Sequence, residues 1–173
     1  NGEYVANHEG SYAVYSGQTS GDAVFGLIDS FDFDLPGGAI LVATVGAEAM
    51  SCRIVAGRFS LSQNCALMIP RPGTKVVLSF ILGQLRDLFI EKRAEIPDHM
   101  QPSLRIEDLN RFFIKVPSLE MQESIALLIN EKWTSTSTLL KALESQVEKL
   151  IERRSSLITD AVAGKVEIPG VAA

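Results

Sequence analysis

The stretch Leu119–Ala163, LEMQESIALLINEKWTSTSTLLKALESQVEKLIERRSSLITDAVA, decides how the rest of the chain is read. It contains neither Pro nor Gly, and it is bracketed by Pro117 before and Gly164 after. Ser118 supplies an N-cap oxygen, and Glu120 and Glu123 place negative charge in the first turn, where the helix dipole favours it. Gly164 suits the left-handed position that ends a helix. One helix over this span would be ~67 Å long at about 1.5 Å per residue, too long to lie half-buried on a small domain. Ile129, Trp133, Thr136, Leu140, Leu143, Val147, Leu150, Arg154, Leu157 and Ala161 recur in alternating four- and three-residue steps. That 3.5-residue period is a coiled-coil seam, with Thr136 and Arg154 as polar breaks of the kind that set register. No second long helix is written in the sequence. The seam therefore calls for a helix from another copy or from a missing part of the chain.

Upstream of Pro117 the composition changes. Seven of the eight Phe residues lie between Phe31 and Phe113, among Gly and β-branched residues. Short strands are expected at Tyr12–Tyr15, Ala39–Val45, Ser51–Val55 and Ala66–Ile69, each bounded by Gly, Pro, Asp or Asn. Pro36-Gly37-Gly38 and Pro70-Arg71-Pro72-Gly73 read as turns. Lys75–Arg93 reads as a helix, because Val76, Val77, Phe80, Ile81, Leu85, Leu88 and Phe89 recur at helical steps. A short helix at Ile106–Arg111 and a strand at Phe112–Val116 complete an α+β domain over residues 1–116. The long helix and its tail occupy residues 117–173.

The chain has 173 residues and a formal net charge of −5, with 46% apolar and 21% charged residues. That composition excludes a disordered chain, and no apolar run approaches the ~20 residues of a membrane span. The charge is unevenly spread. Residues 1–50 carry seven acids and no Lys or Arg, while residues 51–116 carry ten bases against six acids. The middle third is locally basic inside an acidic total. Cys52 and Cys65 fit no metal or redox spacing and read as buried small hydrophobes, pointing to a reducing, cytoplasmic setting. No signal-peptide pattern opens the chain, and Asn1 at its start suggests a fragment.

Catalytic constellations are missing from the sequence. His8 and His99 lack ligand-type neighbours. There is no GxSxG elbow, phosphate-cradling GxxxxGK loop or GxGxxG fingerprint. Asp32 and Asp34 read as solvated turn carboxylates before Pro36. No catalytic or metal-binding residue is assigned. What remains is a set of polar loops at Ser16–Ser20, Arg53–Arg58, Ser62–Asn64 and Gln101–Arg105. Gln, Asn and Arg can read base edges, and Ser and Thr can hold phosphate oxygens.

The ordered motifs resemble the DNA specificity subunit of Type I restriction–modification systems. They are Ser11-Tyr12-Ala13-Val14-Tyr15-Ser16-Gly17, Gly57-Arg58-Phe59-Ser60-Leu61-Ser62-Gln63-Asn64, Gln101-Pro102-Ser103-Leu104, Val116-Pro117-Ser118-Leu119-Glu120-Met121-Gln122 and Leu150–Ile168. The last two are the most specific, and they bracket the long helix. Met121 and Ala163 depart from the usual pattern, where an acid and a Thr or Ser are common.

The resemblance implies a target recognition domain followed by a conserved-region helix, half of a subunit that reads a two-part DNA target. DNA contacts are then expected from Tyr15, Ser16, Gln18, Thr19, Arg53, Arg58, Gln63, Asn64, Gln101, Ser103 and Arg105. Antiparallel helix pairing, with the other half or a second copy, is expected through Ile129, Trp133, Leu140, Leu143, Val147, Leu150 and Leu157. The same helix would dock a modification subunit, with Lys141, Glu144, Glu148 and Arg153 exposed to it, and through it the restriction subunit. The chain itself would catalyse nothing and hold no cofactor. S-adenosylmethionine, ATP and Mg belong to the partner subunits, consistent with the lack of an Asn/Asp/Ser-Pro-Pro-Tyr/Phe methyltransferase motif. A different class of reading is a coiled-coil scaffold whose globular end binds protein or a small ligand.

Overall fold

The computed structural model describes residues 2–17, 24–97 and 99–165. In chain order its elements are α1 (Gly2–Asn7), β1 (Glu9–Tyr15), β2 (Val24–Ile28), β3 (Phe33–Ala43), β4 (Cys52–Leu61), β5 (Cys65–Met68), α2 (Leu78–Ala94), α3 (Ile106–Leu109) and α4 (Leu119–Val162). The fold is α+β, as the sequence implies. Contacts divide it into two units, residues 1–129 and 130–173.

The first unit is built on a five-stranded mixed sheet in the order β2-β1-β4-β3-β5. Only β1 and β4 run parallel; β1–β2, β3–β4 and β3–β5 are antiparallel. The sheet curls into a half-barrel. Although β4 lies between β1 and β3, Gly17, just after β1, sits beside the end of β3. A Cβ there would lie 3.0 Å from the Asn64 carbonyl and 3.5 Å from the Ala43 side chain.

Both faces of β3 are covered, so Ala39–Ala43 is buried without a break, as in a central strand rather than a half-solvated one. Ile40 and Val42 point to α2 and join Met50, Cys52, Leu82, Leu85, Phe89 and Leu104. Ala39 and Leu41 point into the hollow of the half-barrel with Val55 and Phe59. Phe33 stacks on Phe59 with ring centres 5.6 Å apart, and Tyr15 packs on it at a tilt, at 5.3 Å.

Several expectations need correction. Pro36-Gly37-Gly38 does not end a strand. It lies inside β3, where a register shift between Leu35 and Ala39, with Gly38 at φ +79°, bends the strand and continues it. Arg53–Arg58 is not a loop but part of β4, which continues through Gly57 at φ +81° to Leu61. Asp34 is likewise a strand residue, paired with Arg58. Phe112–Val116 forms no strand, since Phe112 packs edge-on against Phe89 instead of pairing in the sheet. α1 and β2 were not anticipated. α2 begins at Leu78 rather than Lys75, with Lys92 and Arg93 in its last turn.

The first turns of α4 belong to the globular unit, so this unit extends past residue 116. Gln122 is 1% exposed, and Ala126 is also buried. Gln122 accepts the Val77 N–H at 3.0 Å, donates to the Pro117 carbonyl at 2.9 Å and reaches the Lys75 carbonyl at 3.5 Å. One side chain thus ties the start of α4 to the start of α2. Ile129 packs over Gly83 of α2, where the absent Cβ leaves room for it.

Both helix-end signals act as read from sequence. The Ser118 hydroxyl accepts the Met121 N–H at 3.4 Å. At the other end, Lys165 N–H donates to Asp160 O at 2.8 Å and Gly164 N–H to Ala161 O at 3.1 Å, with Gly164 at φ +69°. That is a Schellman cap.

Candidate nucleic-acid interface

Thr44 organises the site. Its N–H donates to the Asn64 carbonyl at 2.8 Å, and its own carbonyl accepts the Leu104 N–H at 2.7 Å. Two of the polar segments singled out in the sequence, 62–64 and 101–105, are thereby fastened to the end of β3. Ser103 forms a bridge with Val45, and Gly46 N–H donates to the Pro102 carbonyl at 3.1 Å. Ser62 N–H donates to the Tyr15 carbonyl at 2.8 Å, which brings the end of β1 to the same place.

The loop between β3 and β4 is held from inside by Met50. Its N–H donates to the Ala43 carbonyl at 2.8 Å while its side chain is buried. Met50 has φ +71°, a conformation most side chains avoid. The Arg93 guanidinium, at the end of α2, donates to the Ala49 carbonyl at 3.0 Å. A shallow depression of about 460 Å³ lies among these segments, lined by Ser16, Gly17, Glu48, Gln63 and Asn64 among others.

The expected DNA-contacting residues fall into four settings. Ser16, Gln63, Asn64, Gln101 and Ser103 lie on the segments at this end of the sheet, with Gln63, Asn64, Gln101 and Ser103 exposed and Ser16 buried. Arg105 follows them, its N–H donating to the Asp108 carboxylate at 3.3 Å at the start of α3. Tyr15 and Arg53 turn into the hollow of the half-barrel, where the Arg53 guanidinium lies 4.7 Å from the centre of the Tyr15 ring. Arg58 stands with Asp34 and Phe31, bonded to the Asp34 carboxylate at 3.0 Å. Gln18 and Thr19 lie outside the described residues. The sequence reading missed Thr44 and Gly46, because they contribute backbone groups. It also missed Phe31 and the pairing role of Asp34.

Cys52 is buried behind this end of the sheet. Burial pushes its thiol up to about 11, against the opposing pull of Arg86. Cys65 is half-buried, and burial raises it as well. Among the described residues no group of three or more His, Cys, Asp or Glu is placed to hold a metal ion. Among them, too, no helix is long and apolar enough to cross a membrane.

In the second unit the apolar side chains of α4 are largely open to solvent. Trp133, Leu140, Leu143, Val147, Leu150 and Leu157 are all exposed, between 49% and 63%. Ile129 differs from the other expected seam residues, being half-buried within the first unit.

A curled mixed sheet with polar loops at one end is thus followed in the chain by a long helix with an exposed apolar stripe. The chain belongs to the Type I restriction modification DNA specificity domain family, whose model matches residues 5–149. Two Mycoplasma pneumoniae proteins named as type I specificity subunits are similar to it. One is 26% identical over 86% of this chain and 47% of its own length, the other 28% identical over 81% and 37%. A chain from a structural study of complex assembly and conformational transition of the type I R-M system shares the fold. Its TM-score is 0.64 at 18% identity, covering 92% of this chain and 40% of that one. The type I S subunit from M. genitalium matches with a TM-score of 0.53 at 22% identity, over 77% and 35%. The chain thus spans less than half the length of these relatives. Family membership does not favour the scaffold reading.

Proposed function

We propose that this chain is one DNA-reading unit of a Type I specificity subunit, recognising half of a two-part duplex target. The observation that carries the reading is that Thr44 fastens the segments bearing Gln63 and Asn64 and bearing Gln101 and Ser103 to one end of the sheet, in a chain of this family. Gln and Asn side chains suit adenine edges in the major groove, and Ser suits phosphates and bases. The open apolar stripe of α4 pairs antiparallel with an equivalent helix, from the other half of a longer protein or from a second copy. The pair sets the distance between half-targets and docks the modification subunits, and through them the restriction subunit. The unit is non-catalytic and works in the cytoplasm. S-adenosylmethionine, ATP and Mg are held by the partners.

The test is selection of duplexes from a randomised pool by the complete specificity protein with its modification subunit. A two-part motif is expected among the bound duplexes, with affinity falling steeply as salt rises. No enrichment would overturn the reading.

A further inference from the structure

Arg58 is held by a carboxylate and an aromatic ring together. Its Nε donates to Asp34 Oδ2 at 3.0 Å, and Asp34 sits directly opposite it on β3. The guanidinium carbon lies 5.0 Å from the centre of the Phe31 ring. The Phe31 ring leans on Tyr12, with ring centres 4.9 Å apart. A guanidinium carries five N–H donors in a rigid fork. One edge is fixed by Asp34, and Phe31 covers one face. The Arg58 and Asp34 side chains are nonetheless about half exposed, at 54% and 46%.

A free lysine or arginine meets DNA first as a charge on a phosphate. Here Asp34 balances that charge, so the pair has little net attraction for an anion. A neutral edge with two acceptors is the ligand that suits an oriented fork without net charge. In duplex DNA that edge is guanine O6 and N7 in the major groove. Ser62, where the β4–β5 loop begins, lies four residues further along the chain. At about 3.3 Å per residue that is ~13 Å, the span of about four base pairs.

We propose that Arg58 reads a guanine, with Asp34 and Phe31 as positioning residues that aim it. The inference rests on the DNA-reading role above and names one base within it. The row Arg58, Ser62, Gln63 and Asn64 then follows a single groove.

The experiment compares the complete protein, with its modification subunit, carrying wild-type sequence, Arg58→Ala, Asp34→Asn or Phe31→Leu. Each is offered a randomised duplex pool and then the selected duplex with 7-deazaguanine in place of guanine. Wild type is expected to require guanine at one position, and 7-deazaguanine there to weaken it about 5- to 150-fold. Arg58→Ala should lose the preference at that position alone. It should leave the slope of log affinity against log salt unchanged, and be indifferent to 7-deazaguanine. Asp34→Asn and Phe31→Leu should relax the same position by a smaller factor while melting within a few degrees of wild type.

An unaltered motif in Arg58→Ala, with wild type still selective, would overturn this inference and leave the DNA-reading role standing. A loss spread evenly over all sequences, with the salt slope reduced by about one, would mark a phosphate contact and also overturn it. No selection by wild type would overturn both.

Discussion

Replacing Gln122 tests whether one amide fastens the long helix to the sheet domain. Its side chain is 1% exposed and makes two good hydrogen bonds, to Val77 N–H and the Pro117 carbonyl, plus a long one to Lys75. Gln122→Met keeps a similar volume and removes all of them. A typical hydrogen bond contributes about 1 kcal/mol net, and a buried group left without a partner costs about 1–3 kcal/mol. Val77 and Pro117 are only partly buried, so the lower half of that range applies to each, for a total of about 2–4 kcal/mol. With a urea m-value of about 2 kcal/mol/M, the midpoint should fall by about 1–2 M.

Gln122→Glu separates hydrogen bonding from packing. A carboxylate can still accept from Val77, but it faces the Pro117 carbonyl without a proton to donate. Its folded pKa should therefore rise above the ordinary ~4.3. The protonated form restores the donor. The variant should approach wild-type stability below pH ~4.3 and lose ground as pH rises through the folded pKa. Urea melts of the three proteins between pH 4 and 8 provide the check. A midpoint shift under 0.3 M for Gln122→Met, or a flat pH profile for Gln122→Glu relative to wild type, would refute the reasoning.

Leu143→Asp with Val147→Asp should abolish helix pairing, since each side chain would contribute about 1.5–3 kcal/mol on burial; light scattering of the free chain should report a monomer where wild type associates. Cys52, held at about pKa 11 by burial, should be about one-thousandth thiolate at pH 8 and react with iodoacetamide only after denaturation. The same shift contributes stability that is present below pH ~9 and lost as pH rises towards 11, so alkaline melts should show a decline that Cys52→Ala lacks. Gly83→Ala would place a Cβ 2.9 Å from the movable Ile129 Cδ1 while improving helix propensity by about 1 kcal/mol. Its melting temperature should stay within a few degrees of wild type, whereas Gly83→Leu should fall by about 1–3 kcal/mol through overpacking.

The long helix was legible because its signals are local. Ser118, the absence of Pro and Gly, and Gly164 each act within a turn, and each does in the structure what its chemistry demands. The sheet was harder. β2, VFGLI, is apolar without clear alternation, and its pairing with β1 is visible only once the chain folds back. Gly38 and Gly57 look like strand ends in sequence. Both take positive φ to bend strands that continue. Phe112–Val116 has strand-like composition, but Phe112 found Phe89 instead of a neighbouring strand. Among site residues, types were readable and positions were not. Gln63, Asn64, Gln101 and Ser103 meet because Thr44 binds chain segments 20 and 60 residues away, and no short-range pattern encodes that. Arg58 and Arg53 share a motif-rich strand, yet one faces outward to Asp34 and the other inward to Tyr15.

The fastening at Thr44 has a consequence for how such a unit can change its target. The links that join segments 62–64 and 101–104 to Thr44 run from amide to carbonyl. If Gln63 and Gln101 read DNA as proposed, they can be exchanged as freely as tool bits in a chuck, altering what is read while the grip stays the same. Asn64 is less free, because φ +65° favours Asn, Asp or Gly there. New specificities should arise at these points by single substitutions that cost the fold almost nothing, which is how a recognition protein diversifies without first becoming unstable.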